Sequence, residues 1–288
     1  MRYATIDSLR ERYPVSMLCA LLEVSSSGYH EWRKRPASPR KLANERLVSE
    51  IRVLHGESFA SYGSPRIHAA LKRQGRPIGR ERIRRLMREH HIVGRYRKRR
   101  CRTTDSNHAL PIAPNLLQQH FTCEAPDTVW LADISYLPSD EGFLYFAAMK
   151  DLCTKKIVGW SMSKMIDAQL VVDALNMAIA RQRPSAGLIV HSDRGSQYAS
   201  SDFRNALAKN GFRQSMSRRG NCYDNAPMES FFSSLKGEYL EHQRFATHAA
   251  ARAAVFTYVE TFYNRVRLHS SIGYRPPNEF EKMLKQTA

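Results

Sequence analysis

The sequence has few of the features that mark secreted, membrane-spanning or zinc-binding proteins. Its five cysteines lie far apart and never form a C-x-x-C pair, which argues against both a disulfide framework and a structural zinc site. No stretch approaches the ~20 consecutive apolar residues of a membrane-spanning helix. The charged segment 1–14 lacks the apolar core of a signal peptide. These absences predict a cytoplasmic protein with reduced thiols and no membrane partner.

Acidic residues are scarce in the first third of the chain. Of a net charge of +18 over 288 residues, residues 1–102 contribute 25 basic and 9 acidic side chains, and the remainder contributes 20 and 18. This asymmetry predicts a polyanionic partner for the N-terminal part, with nucleic acid ahead of an anionic membrane surface. Apolar residues make up 42% of the chain, enough for a folded core, and the length suggests two domains.

The N-terminal segment predicts short helices. Residues 15–24 and 29–35 have apolar side chains at helical spacing, residues 25–28 suit a turn, and residues 44–55 predict a further helix. The first pair is compatible with a DNA-binding helix-turn-helix and equally with a small packing module.

A second helix pair is strongly basic. Ser64 is a good N-cap, Pro65 suits the first helical position, and Gly75 ends this helix. A basic helix then runs from Arg80 toward Gly94. Residues 72–102 hold 14 basic and 2 acidic residues, a cluster that repels itself without a polyanion. We therefore predict DNA contacts from this helix and the arm behind it, namely Arg80, Arg84, Arg85, Arg88, Arg95, Arg97, Lys98, Arg99 and Arg100.

The chain changes character after a proline-containing linker. We predict a basic helical DNA-binding region at 1–102, a linker at 103–127 and a catalytic region at 128–288. The order of periodic segments in the last region predicts a mixed α/β domain. Strands are predicted at 128–137, 143–150, 156–162, 187–190 and 212–217, and helices at 167–183, 201–210, 225–240 and 249–263.

Three carboxylates occupy informative positions in this layout. Asp133 lies inside the first strand, Asp193 follows a short apolar strand, and Glu229 lies in the first turns of a helix. Taken singly, Asp193 suits a turn and Glu229 suits a helix N-terminus. Together, oxygen ligands of one charge sign suit Mg²⁺ or Mn²⁺ rather than zinc. We predict that Asp133 bridges two ions, with Asp193 and Glu229 each completing one, for an in-line phosphoryl displacement.

Basic side chains flank the predicted metal site. Lys236 lies seven residues, two helical turns, after Glu229 on the same face, where it either contacts a DNA phosphate or is an exposed solubilising residue. Arg218 and Arg219 lie in a basic loop before that helix and are predicted to contact DNA. His191 either orients a metal-bound water or packs at a strand end.

Residues further along offer similar alternatives. Asp224 and Asn225 are predicted to cap the helix that carries Glu229. The segment 263–267 either lies along DNA or caps the core. His269 is a further candidate for a DNA contact, with no contact as the equally weighted alternative.

Several longer motifs resemble a known family. The runs "YGSPRIHAALKRQG", "HSDRGSQY", "GNCYDNAPMESFFSSLK" and "YNRVRLHSSIGYRPP", and the 35 residues between Asp193 and Glu229, resemble the DDE transposase and retroviral integrase superfamily. They resemble most the second-reading-frame (orfB) transposases of the insertion-sequence-three family. The resemblance covers essentially the whole chain. It implies an RNase H-like integrase core, with a mixed five-stranded sheet flanked by helices, behind an N-terminal all-α helix-turn-helix region.

The resemblance also implies a mechanism and partners. It carries Asp133, Asp193 and Glu229 over as the catalytic triad with two Mg²⁺ ions, and Lys236 as a DNA contact. It implies hydrolysis followed by transesterification at element ends, a homo-multimer on DNA, and an upstream first-frame (orfA) partner or fusion. The His/His/Cys/Cys zinc module of retroviral integrases has no counterpart in the sequence. Two other functions stay open, a DNA-binding protein with an unused catalytic fold and a metal nuclease that never joins strands.

Overall fold

The computed structural model describes residues 1–95, 110–219 and 221–287, which form two compact units, residues 1–51 and 52–288. The boundary at residue 51 differs from the predicted linker at 103–127, because the segment after residue 51 bonds to the C-terminal part of the chain. There the Tyr62 hydroxyl donates to the Val266 carbonyl oxygen at 3.2 Å. Part of the predicted linker lies outside the described residues, and the predicted functional division of the chain stays a prediction.

The first unit is built from helices. They bury a small core of Ile6, Leu18, Cys19 and Tyr29. The helix pair predicted at 15–35 is present, but its second helix begins earlier than expected because Ser25 caps it, with its Oγ accepting from the Gly28 backbone N–H at 3.1 Å. The helices of this unit are α1 Arg2–Leu9, α2 Val15–Leu21 and α3 Ser26–Lys34.

The second helix pair has the predicted amphipathic character. The basic helix buries Ile83, Leu86 and Met87 on one side. Gly63, rather than Ser64, occupies the cap position of the preceding helix, which has no side-chain capping bond, so the predicted cap is displaced by one residue. This pair is α5 Ser64–Arg73 and α6 Arg80–Glu89, and it follows α4 Pro39–Glu57, which begins in the first unit.

A mixed five-stranded sheet forms the centre of the second unit, as predicted. The strands lie in the order β3-β2-β1-β4-β5, with antiparallel β1–β2 and β2–β3 pairs and parallel β1–β4 and β4–β5 pairs. The central position of β1 explains its apolar residues, which are covered on both faces. The strands are β1 Val129–Ser139, β2 Gly142–Asp151, β3 Ile157–Ser163, β4 Ile189–Ser192 and β5 Arg213–Met216.

Helices cover both faces of the sheet. One face packs with α7 Ala168–Gln182, α8 Ser196–Ala199 and α9 Ser201–Lys209 around a core that includes Ala147 of β2. The neighbouring Phe146 packs against Phe231 in a tilted arrangement and against Phe232 edge to face, with ring centroids 6.4 and 5.7 Å away. Since successive strand residues face opposite ways, the helix that carries Phe231 and Phe232 lies on the other face of the sheet. The remaining helices are α10 Ala226–Glu238, α11 His248–Phe256 with a π-helical continuation Thr257–Tyr263, and α12 Pro277–Thr287.

Close packing on the α7 face depends on a glycine. A Cβ at Gly159 of β3 would collide with the backbone of Ala174 and Ala178 in α7. In the described part of the chain, no helix is both long and apolar enough to cross a membrane. Cys19, Cys123 and Cys153 are free thiols.

Candidate active site

Strand register brings the first two carboxylates to the same level of the sheet. Leu131 of β1 pairs with His191 of the parallel β4. Asp133 lies two residues after Leu131, and Asp193 lies two residues after His191, directly after β4 ends at Ser192. Neighbouring parallel strands lie about 4.8 Å apart, so Asp133, in the middle of β1, lies next to Asp193, which comes just after the end of β4. Both side chains are partly buried.

Backbone N–H groups orient both carboxylates. Asp133 Oδ1 accepts from the Ile134 N–H at 2.8 Å, and Asp193 Oδ1 accepts from the Gly195 N–H at 3.0 Å. A Cβ at position 195 would lie 3.1 Å from Asp193 Oδ1 and 3.1 Å from Gln197 Oε1. The glycine therefore leaves room for the turn that holds the Asp193 carboxylate.

Two tethers place the start of α10, and with it Glu229, beside these strands. Asn225 Nδ2 donates to the Ala132 carbonyl oxygen at 3.1 Å, next to Asp133. Lys150 Nζ, from buried Lys150 in β2, donates to the Pro227 carbonyl oxygen at 2.9 Å. Glu229 lies in the first turn of α10 and is exposed.

The three carboxylates interact electrostatically. Burial raises the pKa of Asp133 well above its usual value, and the charges of Asp193 and Glu229 raise it further. The Ile134 N–H and the Lys236 ammonium act in the opposite direction on the same pKa. Asp133 thus lies within electrostatic range of Asp193, Glu229 and Lys236, a set of carboxylates that a bound cation would stabilise.

The donor set fits a hard divalent cation. All three candidate ligands are carboxylates, which suit Mg²⁺ or Mn²⁺. Among the described residues, no three His, Cys, Asp or Glu side chains form a group that could hold one metal ion. The number of ions stays a prediction.

His191 packs within the sheet. Its Nδ1 lies 2.8 Å from Ser215 Oγ and its Nε2 lies 3.3 Å from Ser217 Oγ, so both ring nitrogens are engaged next to β5. Burial lowers the pKa of this fully buried imidazole to about 4. Of the two predicted roles, the structure favours packing at the strand end.

The loop before α10 is held by an ion pair. Asp224 is fully buried, and its Oδ2 accepts from the Arg218 Nε at 3.0 Å while its Oδ1 accepts from Arg218 Nη2 at 2.9 Å. This pairing holds the pKa of Asp224 well below its usual range. Asn225 occupies the predicted N-cap position of α10, but its side chain makes no capping hydrogen bond and donates to β1 instead. The prediction for Asp224 is wrong, because its carboxylate binds Arg218.

The predicted DNA-contacting side chains differ in exposure. Arg80, Arg84 and Arg88 of α6 are exposed, whereas Arg85 is partly buried. Arg84 pairs with Glu81 at 2.6 Å, and Arg85 pairs with Glu89 at 3.8 Å. Arg95 and Arg219 are exposed, Arg218 keeps 57% of its side chain exposed beside Asp224, and Lys236 is partly buried. Arg97, Lys98, Arg99 and Arg100 lie outside the described residues.

The C-terminal segment caps the core. Arg267 is 4% exposed, and its Nε donates to Glu238 Oε2 at 2.7 Å. His269 is also buried, with its ring 4.8 Å from that of Tyr263. Asn264 exchanges two 2.9 Å hydrogen bonds with the backbone of Ile157 and so covers the edge strand β3. Of the alternatives for residues 263–267, the structure favours the core cap.

Three residues near the site escaped sequence reasoning. Lys150 lies in a mostly apolar strand, where a lysine indicates that its ammonium has a specific hydrogen-bond acceptor. Tyr136 is a 41% exposed aromatic residue three positions after Asp133. Tyr198 is fully buried, its hydroxyl lacks a hydrogen-bond partner among the described residues, and the charges of Asp133 and Asp193 add to burial in raising its pKa.

Comparison with known proteins agrees with this fold. Two models of the integrase core domain match residues 124–222 and 210–277, and a model of an HTH-like domain matches residues 42–100. These matches confirm the predicted integrase core and helix-turn-helix-like region. Among solved structures, the simian T-cell lymphotropic virus intasome in complex with PP2A regulatory subunit B56 gamma aligns at 17% identity and a TM-score of 0.47, covering 74% of this chain and 70% of that chain. The HTLV-2 integrase catalytic core domain in complex with magnesium, in its trimeric form, aligns at 14% identity and a TM-score of 0.43, covering 55% of this chain and 97% of that chain.

Relatives match over almost the entire length. The insertion element IS600 uncharacterized 31 kDa protein of Shigella sonnei is 45% identical over 271 residues, covering 94% of this chain and 100% of the relative. Transposase InsF for insertion sequence IS3A of Escherichia coli (strain K12) is 37% identical over 283 residues, covering 98% of each chain. The chain therefore belongs to the IS3 family of insertion-sequence transposases, which carry an integrase core domain.

Proposed function

We propose that this transposase cleaves DNA strands at insertion-element ends and joins them to target DNA, using Asp133, Asp193 and Glu229 as the ligands of two divalent cations. Family membership makes the chain a polynucleotidyl transferase in kind. The observation that supports the finer proposal is the strand register that sets Asp133 level with Asp193, together with the charges of Asp193 and Glu229, which add to burial in raising the pKa of Asp133. A magnesium ion accompanies the integrase core named above, which supports the choice of cation.

Each residue has a separate part in this proposal. Asp133, at the centre, would be shared by both ions, while Asp193 and Glu229 would each complete one. When bound, the two cations supply charge stabilisation for the attacking and leaving oxygens of an in-line displacement at phosphorus. Lys236 would neutralise a phosphate of the DNA strand next to the carboxylates. The hydrogen bonds from Asn225 to β1 and from Lys150 to Pro227 hold the start of α10, and with it Glu229, at the site.

The partners follow from the same chemistry. We propose that DNA is bound by the exposed arginines of α6 and the basic segment behind it, since neutralising phosphates releases counterions. We further propose that a homo-multimer assembles on DNA and that an upstream first-frame protein, or a fusion with it, contributes end recognition.

Strand transfer on a pre-branched DNA substrate tests the catalytic proposal. A branched substrate bypasses end recognition, so a missing first-frame partner does not mask the chemistry. We expect wild type to resolve and join strands only with Mg²⁺ or Mn²⁺. Glu229→Gln should lower the rate by roughly a thousand-fold, about 4 kcal/mol of transition-state stabilisation. The control Glu124→Gln, which removes an exposed glutamate outside the site, should keep wild-type activity.

Other outcomes point to other functions. Hydrolysed strands without joined products would indicate a metal nuclease. If wild type and Glu229→Gln both bind DNA but neither shows metal-dependent chemistry, the catalytic proposal for this chain alone is contradicted and a DNA-binding role is favoured.

A further inference from the structure

Two exposed aromatic rings lie on the hairpin formed by β1 and β2. Tyr136 is 41% exposed and Phe143 is 55% exposed, and their ring centroids are 5.2 Å apart at an interplanar angle of 75°. The two rings therefore form an L-shaped surface, here called the aromatic corner. Rings of this size usually lie in a protein core, and leaving both in water forfeits the free energy of their burial.

The aromatic corner adjoins the carboxylate site. Tyr136 follows Asp133 by three residues on β1, so the two side chains leave opposite faces of the strand about 10 Å apart along it, and Lys236, whose charge acts on the pKa of Asp133, connects the two. The Lys236 Nζ lies over the Tyr136 ring, 4.7 Å from its centroid, a cation–π contact that holds the ammonium against one face of the ring. The ammonium and the aromatic rings together offer partners for the phosphate and for the base of one nucleotide.

The hairpin that presents these rings is held at its tip. The Asp140 N–H donates to the Phe245 carbonyl oxygen at 2.9 Å, and Arg244 Nε donates to Asp140 Oδ1 at 3.2 Å. Glu141 accepts from the His248 N–H at 2.7 Å. Rings on anchored strands are better placed for recognition than rings on an untethered loop.

We propose that the aromatic corner, Tyr136 and Phe143, binds one unstacked nucleobase of the DNA strand held at the carboxylate site. The inference rests on the proposed function, because that function supplies the strand. Ten ångströms is about three nucleotides of stacked strand, so the base lies within a few positions of the reacting phosphate. Stacking on an aromatic ring tolerates any base, so the corner positions the strand without reading its sequence.

A fluorescence experiment tests the proposal without chemistry. In the Glu229→Gln background, 2-aminopurine is placed singly at each of the nucleotides flanking the branch of the pre-branched substrate, and its emission is followed on binding. We expect a change in emission at one or two adjacent positions. Tyr136→Ala and Phe143→Ala should each abolish this change and weaken binding of the branched DNA by roughly ten-fold. Tyr136→Phe, which keeps the ring, should retain the change.

Controls separate the possible failures. Tyr13→Ala removes an exposed tyrosine from the first unit and should change neither readout, and circular dichroism verifies that each variant is folded. Tight DNA binding with no emission change at any position, or with unchanged affinity in Tyr136→Ala and Phe143→Ala, overturns the proposal while the proposed function stands. A fall in the sedimenting mass of the DNA-free protein in Tyr136→Ala would instead identify the corner as a contact between copies of the chain. Failure of the Glu229→Gln protein to bind the substrate overturns both proposals.

Discussion

The surroundings of Asp133 disfavour the charged form of its carboxylate. Burial and the two neighbouring carboxylates raise its pKa, so the folded protein binds a proton that the unfolded chain has released. The free energy of unfolding contributed by this group therefore falls as the pH rises from the usual aspartate pKa through the raised one. Without metal, ionised Asp133 lowers the free energy of unfolding.

Asp133→Asn should therefore stabilise the metal-free protein while removing its response to metal. We expect a rise in the melting temperature of about 2–4 °C, or roughly 1 kcal/mol, in the presence of a chelator at neutral pH. Saturating Mg²⁺ should stabilise wild type by about 2–3 kcal/mol at a hundred-fold excess over the Kd, and the variant much less. Asp202→Asn, an exposed control on α9, should behave like wild type. An equal response of Asp133→Asn and wild type to Mg²⁺ would contradict the metal-ligand role.

Lys150 predicts a second pH dependence. Burial lowers its pKa to about 7, with further lowering by the charges of Lys155 and Arg267. Between pH 7 and 9 the unfolded chain therefore binds a proton that the folded protein does not, and stability from this group rises with pH.

Lys150→Met should remove that rise. From pH 7 to pH 9, urea unfolding should show wild type gaining on the order of 2 kcal/mol relative to Lys150→Met. The exposed control Lys72→Met should follow wild type. Parallel pH profiles for wild type and Lys150→Met would show that Lys150 stays charged in the fold.

Helix α10 connects the candidate active site to a buried ion pair. Glu229 lies in its first turn, and Glu238, its last residue, is 6% exposed. Glu238 accepts from Arg267, from the Tyr258 hydroxyl at 2.7 Å and from Arg66 at 3.4 Å. One helix thus joins the carboxylate site, the C-terminal segment and α5, so its position is set at both ends.

Removing Arg267 should loosen α10 and leave a buried charge. We expect Arg267→Met to lower the free energy of unfolding by about 3–5 kcal/mol, because Glu238 loses its main partner. Adding Glu238→Met should recover part of this loss, since no carboxylate is then left unpaired. The exposed pair of Arg244 and Asp140 provides the contrast, and Arg244→Met should cost less than about 1 kcal/mol. Chemical denaturation checks all three, and equal losses for Arg267→Met and Arg244→Met would contradict a structural ion pair.

At the scale of the whole molecule, positive charge is concentrated where the HTH-like domain matches. The net charge of +18 arises almost entirely within the first 102 residues. The described helix α6 turns its apolar residues inward and exposes Arg80, Arg84 and Arg88. A strong basic surface of this kind attracts DNA independently of sequence, and its binding weakens as salt rises.

The salt dependence of DNA binding measures these contacts. Replacing Arg80 and Arg88 together with glutamine should reduce the slope of log K against log salt by about 1.8, two phosphates at about 0.9 each on duplex DNA. Affinity should fall for all sequences alike, because phosphate contacts carry no base information. Arg213→Gln removes an exposed arginine on β5 and should leave the slope unchanged. Fluorescence anisotropy between 50 and 300 mM salt, roughly the range where the effect is large, checks the prediction, and an unchanged slope in the double variant would exclude both arginines as phosphate contacts.

The sequence by itself determined the elements and the candidate ligands. Strand alternation and helical spacing are local patterns, so the mixed α/β order and the carboxylates Asp133, Asp193 and Glu229 were readable from the chain, while the mixed five-stranded sheet followed from the family resemblance. Asn225 occupies the predicted N-cap position, but the capping role of Asp224 was misjudged because a cap was only one of several partners available to its side chain.

Only the tertiary structure decided which distant groups meet. The pairing of Leu131 with His191 sets Asp133 and Asp193 level, and the tether from Lys150 to Pro227 spans 77 positions of the chain. The burial of Arg267 against Glu238 likewise converts a possible DNA contact into part of the core. Such contacts depend on strand register and helix packing, which arise from the burial of many side chains at once and therefore leave no local pattern in the sequence.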